Sequence, residues 1–206
     1  MRQFLILSLL TLLAVTGVLA HDIGNAFSIL MPGNFQDADL DDFDFPPKGW
    51  LALVVKEGRW ELTPTKVNIE NHVVTSNHPK VLALLHDRGL VDGRVETPNM
   101  KFSGDRKRLM SMSPSTIKIA FNGIDYRLSI NKSGTIVLQS GEMTTILDRQ
   151  REDASLVWAG DLDKDGKLDL ILESGTDKNA TYCLYLSGMA GEKALVKRIG
   201  CQFYSG

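Results

Sequence analysis

The sequence predicts a mostly β protein, either an antiparallel sandwich or a meander or barrel, with at most one short helix. Apolar residues alternate with polar ones over short runs, and turn residues separate these runs about every eight to twelve residues, as in all-β domains. No sustained apolar stripe with helical spacing is present in the sequence. We therefore expect an all-β region over residues 50–206, either undivided or formed by sub-domains 50–114 and 115–206.

The first strands of this region are short and apolar. Residues 51–55 are all apolar and predict a buried strand, and Glu57-Gly58 predicts the turn into a return strand at 60–62. A third strand is expected within 65–70, where valine and isoleucine alternate with polar residues.

Hairpins are clearer in the second half of the region. Residues 117–119 alternate up to Asn122-Gly123, a dipeptide that suits a type I′ turn because both residues tolerate positive φ. The alternation continues over 126–130, and further strands are expected at 136–138 and 143–147.

Three segments are interpreted as non-strand structure. Residues 21–49 are rich in Gly and Asp and predict an irregular acidic arm. The acidic run within it, at 37–44, lacks a glycine turn, which favours a solvated or docking segment over a second metal site. Residues 79–86 favour one or two helical turns, and 92–114 is expected to be a loop because Gly and Pro interrupt it.

Residues 1–20 have the pattern of a signal peptide. Arg2 supplies a short basic start, residues 4–15 are nearly all apolar, and small residues precede a cleavage position after Ala20. The apolar run is shorter than the roughly 20 residues that a transmembrane helix needs. We therefore expect a mature chain that begins at His21, has no membrane span after cleavage and is secreted or periplasmic.

Charge and composition exclude several classes of protein. The chain contains 23 Lys+Arg against 25 Asp+Glu, a formal net charge of -2, and 43% of its residues are hydrophobic. No nucleic-acid partner is expected, because the chain has no net positive charge with which to neutralise phosphates. The apolar share is also too large for a disordered chain.

Cys183 and Cys201 are the two cysteines, and each lies in an apolar, strand-like segment. In an oxidising compartment they could form a disulfide bond that closes a loop of roughly twenty residues, worth about 3 kcal/mol in the chain-entropy model. Two buried free thiols are the alternative, so the sequence leaves the pairing open.

The most specific motif is the acidic loop 161–169, with the pattern D-x-D-x-D-G-x-x-D. Calcium takes about six to eight oxygen ligands, and carboxylates at alternate positions converge only if the chain curls tightly, which Gly166 permits. Magnesium suits the loop less well, because it requires stricter octahedral geometry. A solvated acidic turn is the other alternative. The predicted cofactor is Ca²⁺, and its predicted ligands are the side chains of Asp161, Asp163, Asp165 and Asp169 and the backbone carbonyl of Lys167.

The flanks of this loop predict a strand-loop-strand unit. An EF-hand would need an acidic residue at about position twelve of the loop, where this chain has Leu172. Residues 156–158 enter the loop like a strand, and 168–172 leave it like one, with alternate leucines on a common face.

Residues 159–170, A-G-D-L-D-K-D-G-K-L-D-L, resemble the calcium loop of FG-GAP (integrin-type) and VCBS-like repeats, in which such a loop joins two strands of a sheet. The resemblance covers about residues 155–187 and implies the same ligands for calcium. The wider layout resembles exported bacterial proteins that carry one such loop near the C-terminus. A propeller needs at least about four blades, and the loop occurs once here, so the resemblance implies the metal turn and not integrin-type ligand recognition.

Two weaker signals concern metal and partner binding. His21 at a mature N-terminus could chelate copper, but the candidate second ligands show no ligand spacing; they are His72, His78 and His86. The basic cluster could meet an anionic glycan or lipid headgroup, although a solvated loop is the simpler interpretation. This cluster consists of Lys101, Arg106, Lys107 and Arg108.

The sequence leaves open whether the protein is an enzyme. It contains no nucleophile elbow, zinc-protease, P-loop or dinucleotide-binding motif. The leading hypothesis is an exported calcium-binding β-module with a binding or structural role, in which calcium rigidifies the C-terminal sheet. Its expected partners are the calcium ion and another envelope or extracellular protein or a glycan. The alternative is a secreted hydrolase with a structural calcium ion.

Overall fold

The structure is a computed structural model. The part of the chain that it describes contains seventeen strands and no helix. The described residues are 28–35, 46, 48–100, 107–113, 115–176 and 179–205. Their strands pair into four antiparallel sheets that are not closed into a barrel. The prediction of a mostly β protein is therefore confirmed.

The first nine strands lie before residue 111 and are β1 (Ile29–Leu30), β2 (Gly33–Asn34), β3 (Leu51–Lys56), β4 (Arg59–Pro64), β5 (Val67–Glu70), β6 (Val73–Ser76), β7 (Val81–Leu85), β8 (Gly93–Arg94) and β9 (Lys107–Met110). The remaining eight are longer on average and are β10 (Thr116–Phe121), β11 (Ile124–Ile130), β12 (Ile136–Ser140), β13 (Met143–Asp148), β14 (Asp153–Gly160), β15 (Asp169–Thr176), β16 (Asn179–Leu186) and β17 (Lys197–Ser205).

Four sheets result, which we name by their place in the chain. The N-terminal sheet has the strand order β1-β7-β3-β4-β8, and the small sheet has the order β2-β6-β5. The meander sheet runs β10-β11-β12-β13, and the C-terminal sheet runs β17-β16-β15-β14-β9.

The C-terminal sheet is covered on both faces. Leu170 and Leu172 of β15 belong to a buried cluster shared with the meander sheet, whereas Ile171 belongs to one shared with the N-terminal sheet. Successive side chains of a strand point to opposite faces, so the two clusters lie on opposite sides. A third cluster joins the N-terminal sheet to the small sheet. The C-terminal sheet therefore lies between the N-terminal and meander sheets, and its loops lie where three sheets approach each other.

The predicted hairpins are confirmed. Residues 51–55 and 60–62 fall in β3 and β4, and the strands expected across 117–147 are β10 to β13. Asn122 and Gly123 have φ values of 47° and 77°, so both central residues of the turn are left-handed, as a type I′ turn requires.

The helical turns predicted for 79–86 are wrong, because this segment contains strand β7. Ala83 and Leu85 belong to one buried cluster and Leu84 to another, which is the two-residue period of a strand. A short, continuous apolar run does not distinguish a buried strand from a buried helix. Pairing of β7 with β1 and β3 decides the conformation.

Residues 92–114 are not a loop throughout, because β8 and β9 lie within them. Strand β9 pairs with β14, and its Leu109 is fully buried. Within the predicted basic cluster, Arg108 forms an ion pair with Asp153, with Nε donating to Oδ2 at 3.1 Å. The side chains of the other three members of that cluster lie outside the described residues.

The predicted acidic arm over 21–49 is not irregular throughout its described part. Strands β1 and β2 lie within it and pair with β7 and β6. The acidic run at 37–44, His21 and the predicted signal peptide over 1–20 lie outside the described residues. Among the described residues, no helix is long and apolar enough to cross a bilayer.

Cys183 and Cys201 form a disulfide bond, which settles the pairing that the sequence leaves open. They are directly opposite each other on β16 and β17, with their Cα atoms 4.1 Å apart. The bond joins residues 18 positions apart and holds the edge strand β17 against β16.

We predict that reduction of this disulfide lowers the free energy of unfolding by about 3 kcal/mol, because the reduced unfolded chain gains loop entropy. The measurement is a urea unfolding curve of the purified protein with and without dithiothreitol. A Cys183→Ala, Cys201→Ala double variant is the control, and its curve should not respond to dithiothreitol. Identical midpoints for the oxidised and reduced wild type would contradict the prediction.

Candidate metal centre

The acidic loop connects β14 to β15 at the end of the C-terminal sheet. Gly160 pairs with Asp169, so the two strands close the loop at its base, and the predicted strand-loop-strand unit is confirmed. Lys164 and Gly166 have φ values of 61° and 82°, which curl the chain within the loop. A Cβ atom on Gly166 would meet nothing within 4 Å, so glycine serves this position through its φ and not through its size.

Three of the four predicted carboxylates converge on one point. Asp161, Asp163 and Asp169 each offer an oxygen, and these oxygens lie within 4.8 Å of one another. Asp161 and Asp169 are buried, and Asp163 is half-buried. Together they form the group of acidic, histidine or cysteine side chains that, within the described residues, is close enough to hold a metal ion.

The fourth carboxylate, that of Asp165, lies beside this group. Its Oδ1 accepts hydrogen bonds from the Lys167 amide at 2.8 Å and from the Ser187 hydroxyl at 2.9 Å. Its Oδ2 lies 3.7 Å from the Lys167 ammonium group. Asp165 and the Lys167 carbonyl therefore stay predicted ligands, while the three-aspartate cluster is observed.

Asp169 is the most completely enclosed member of the cluster, with a fully buried side chain. Its Oδ2 accepts hydrogen bonds from the amides of Leu162 and Asp163, at 2.6 and 3.3 Å. Its Oδ1 accepts from the Ser187 amide and hydroxyl, both at 2.7 Å. These donors fix both oxygens of the carboxylate in place.

Asp161 and Asp163 are each held by backbone donors as well. Asp161 Oδ2 accepts from the Gly166 amide at 3.0 Å, across the curl of the loop. Asp163 Oδ2 accepts from the Gly188 amide at 2.9 Å, and its Oδ1 accepts from the Asp165 amide at 3.3 Å. The carboxylates are thus oriented by the backbone, without a positively charged side chain in these contacts.

Burial and mutual repulsion raise the pKa of all three carboxyls. The pKa of Asp169 rises to about 7, first because burial removes water and second because Asp163 places a negative charge nearby; the Ser187 and Leu162 donors oppose this rise. Burial also raises the pKa values of Asp161 and Asp163, and the charge of Asp165 adds to both shifts. The negative charge of the cluster is therefore incompletely compensated by the protein.

One oxygen of the cluster accepts no hydrogen bond from the described part of the chain. This oxygen is Asp161 Oδ1, which is buried. A buried acceptor without a partner loses its hydration without compensation, typically at a cost of about 1–3 kcal/mol or more for a charged group. A cation in the cluster would satisfy this oxygen, so the carboxylate oxygens of the cluster fit a metal ion.

The loop also contacts both neighbouring sheets. The Asp161 amide donates to the Glu96 carbonyl at 2.9 Å, and the Lys164 ammonium group donates to the Asp92 carbonyl at 2.5 Å. Asn122, in the first turn of the meander sheet, donates to the Gly166 carbonyl at 2.9 Å. The cluster therefore lies at the junction of the N-terminal, meander and C-terminal sheets.

A cavity of about 320 Å³ adjoins the loop. Its polar lining includes Tyr126, Lys167, Ser187 and Glu192, and Met143 and Leu195 supply apolar surface. Sequence reasoning did not identify Ser187, Gly188, Asn122 or Glu96 as neighbours of the loop. No sequence signal could have found the first two, because they lie 18 to 25 residues from the carboxylates that they contact.

Three histidines are candidates for copper ligands beside His21, namely His72, His78 and His86. Within the described residues they form no group close enough to hold a metal ion. The Nε2 atom of His78 lies 3.1 Å from the Pro64 carbonyl, and the His86 ring packs against the Trp50 ring at a centroid distance of 5.4 Å. His21 lies outside the described residues.

Comparison of the chain with protein-family models, with curated proteins and with solved structures gives no match. The resemblance to FG-GAP and VCBS-like loops therefore rests on the loop residues and stays a prediction. The observed cluster is an independent reason to expect a metal ion at the same residues.

We predict that one carboxyl group of the metal-free protein titrates near pH 7. The folded state holds the Asp169 proton more tightly than the unfolded state, where the pKa is about 3.8. Between about pH 4 and about pH 7, Asp169 therefore ionises in the unfolded chain while it stays protonated in the folded protein. The free energy of unfolding falls over this range by a few kcal/mol. Carboxyl-carbon NMR of the calcium-free protein measures the midpoint directly. Midpoints below pH 5 for every aspartate would contradict the prediction.

Proposed function

We propose that the protein is an exported calcium-binding β-module, in which an ion at loop 161–169 rigidifies the C-terminal sheet. The observation that carries the proposal is the unpartnered, buried Oδ1 atom of Asp161 within a cluster of three carboxylates. Desolvated like charges repel one another, and a cation at their centre converts this repulsion into attraction.

The chemistry of the predicted ligand atoms supports calcium over other ions. All the predicted ligands are oxygens, which suits a hard cation, whereas zinc prefers nitrogen and sulfur ligands. Four carboxylates and one carbonyl match the higher and less strict coordination of calcium better than the octahedral geometry of magnesium. Asp165 and Lys167 complete the proposed ligand set with the three clustered aspartates.

Calcium at this position would stabilise more than the loop. Asp161 contacts Glu96, which lies just after β8 of the N-terminal sheet, and Gly166 contacts Asn122 in the first turn of the meander sheet. Fixing Asp161 and Gly166 holds both hydrogen bonds in place. The ion is therefore proposed to strengthen the junction of three sheets.

Export and a binding role complete the proposal. The pattern of residues 1–20 supports export, and the disulfide bond is of the kind that persists in oxidising compartments. The proposal includes a binding role, with another envelope or extracellular protein or a glycan as the partner.

We expect calcium to raise the melting temperature of the purified protein, since a ligand that binds the folded state stabilises it by RT ln(1 + [L]/Kd), about 2.7 kcal/mol at a hundredfold excess over Kd. The measurement is a thermal melt in EDTA and in calcium chloride. Asp161→Asn should lose the calcium response, because it removes the charge of one ligand.

Asp125→Asn is the matched control for this melt. Asp125 is an exposed aspartate in the neighbouring hairpin, outside the cluster. Its variant should respond to calcium like the wild type. Equal wild-type melting temperatures in EDTA and in calcium would refute the proposed calcium site.

Export is tested by expressing the full-length chain in a bacterial host and measuring the intact mass of the product. We expect a mature chain beginning at His21 in the periplasm or medium. Ala20→Tyr should block the cleavage, because the position before the cut requires a small residue. A cytoplasmic product that retains residues 1–20 would contradict export.

A further inference from the structure

We infer that the two residues that follow β16, Ser187 and Gly188, are a second part of the metal centre and position the carboxylates of the loop. The inference rests on the proposed function and concerns residues outside the loop motif. Both residues act through the aspartates and are positioning residues, not ligands.

Ser187 holds two loop carboxylates at once. Its amide and its hydroxyl both contact Asp169 Oδ1 at 2.7 Å, and the hydroxyl also contacts Asp165 Oδ1 at 2.9 Å. A hydroxyl carries one hydrogen, so these two acceptors share it. The Ser187 side chain is buried, so water does not compete for these contacts. Ser187 therefore sets the distance between the closing carboxylate of the loop and the carboxylate of Asp165.

Gly188 holds the third carboxylate, and a side chain at this position would require that carboxylate to move. Its amide donates to Asp163 Oδ2 at 2.9 Å. A Cβ atom on Gly188 would lie 2.6 Å from the same oxygen, closer than real Cβ contacts allow. The φ of Gly188 is not positive, so space and not backbone conformation explains the glycine. Any side chain here would push Asp163 away from the cluster.

These contacts make the metal centre a two-part structure. Strand β16 is held beside β15 by ladder pairs up to Leu170 and Tyr185, and the Cys183–Cys201 disulfide anchors the same strand on its other side. The nine-residue motif supplies the carboxylates, but Ser187 and Gly188, the two residues that follow β16, supply donors to three of them. Hydrogen-bonded partners of metal ligands typically contribute about 10–100-fold to metal affinity.

The test is calorimetric titration of the purified, EDTA-stripped full-length protein with calcium chloride, for the wild type and for Ser187→Ala and Gly188→Ala. We expect Kd for calcium to rise about 10–100-fold in each variant. Ser187→Ala keeps the backbone amide and removes only the hydroxyl, so it is the milder change. Gly191→Ala is the matched control, because a Cβ there meets nothing within 4 Å, and it should bind like the wild type.

Thermal melts in EDTA separate positioning from a purely structural role. Weakened calcium binding in Ser187→Ala, with an EDTA melting temperature close to that of the wild type, would support the inference. Wild-type Kd values in both variants, or a lowered EDTA melting temperature with unchanged Kd, would overturn it. Absence of calcium binding by the wild type would instead overturn the proposed function on which the inference rests.

Discussion

The convergence of Asp161, Asp163 and Asp169 is the constraint on which the end of the C-terminal sheet depends. Two buried carboxylates and one half-buried carboxylate lie together there, with oxygens within 4.8 Å of one another. Such a group is tolerated only when hydrogen-bond donors or a cation compensate the lost hydration. The donors in these contacts are backbone amides and the Ser187 hydroxyl, and they come from both the loop and the two residues that follow β16. The loop therefore has its observed form only when the strands around it are in place.

This dependence runs in both directions, because the loop also contacts residues beside the two neighbouring sheets. Asp161 bonds Glu96, just after β8 of the N-terminal sheet, and Gly166 bonds Asn122 in the first turn of the meander sheet. Gly160, at the base of the loop, leaves no room for a side chain, because a Cβ there would lie 2.5 Å from the Glu96 carbonyl. The backbones at Gly160 and Glu96 therefore approach each other closely. This approach places the carboxylate cluster at the junction of the sheets.

Short-range patterns predicted the hairpins well and the isolated strands poorly. Asn122-Gly123 determines its turn through a local preference for positive φ, so the surrounding sequence is sufficient to place β10 and β11. By contrast, β7 is a continuous apolar run whose conformation depends on pairing with β1 and β3. Strand β9 follows a Gly- and Pro-interrupted stretch and pairs with β14, more than forty residues later. Such partners leave no trace in the local sequence.

The sequence by itself determined the all-β class, the main hairpins and the acidic loop with its strand flanks, because each depends on residues within about a dozen positions. The tertiary structure alone decided which carboxylates converge and that Cys183 and Cys201 are bridged. It also decided that Ser187 and Gly188 face the loop, since strand pairing brings them there from 18 to 25 residues away. The local chain supplies the carboxylates, but the tertiary structure sets their geometry, because donors from the loop and from the residues after β16 orient the oxygens.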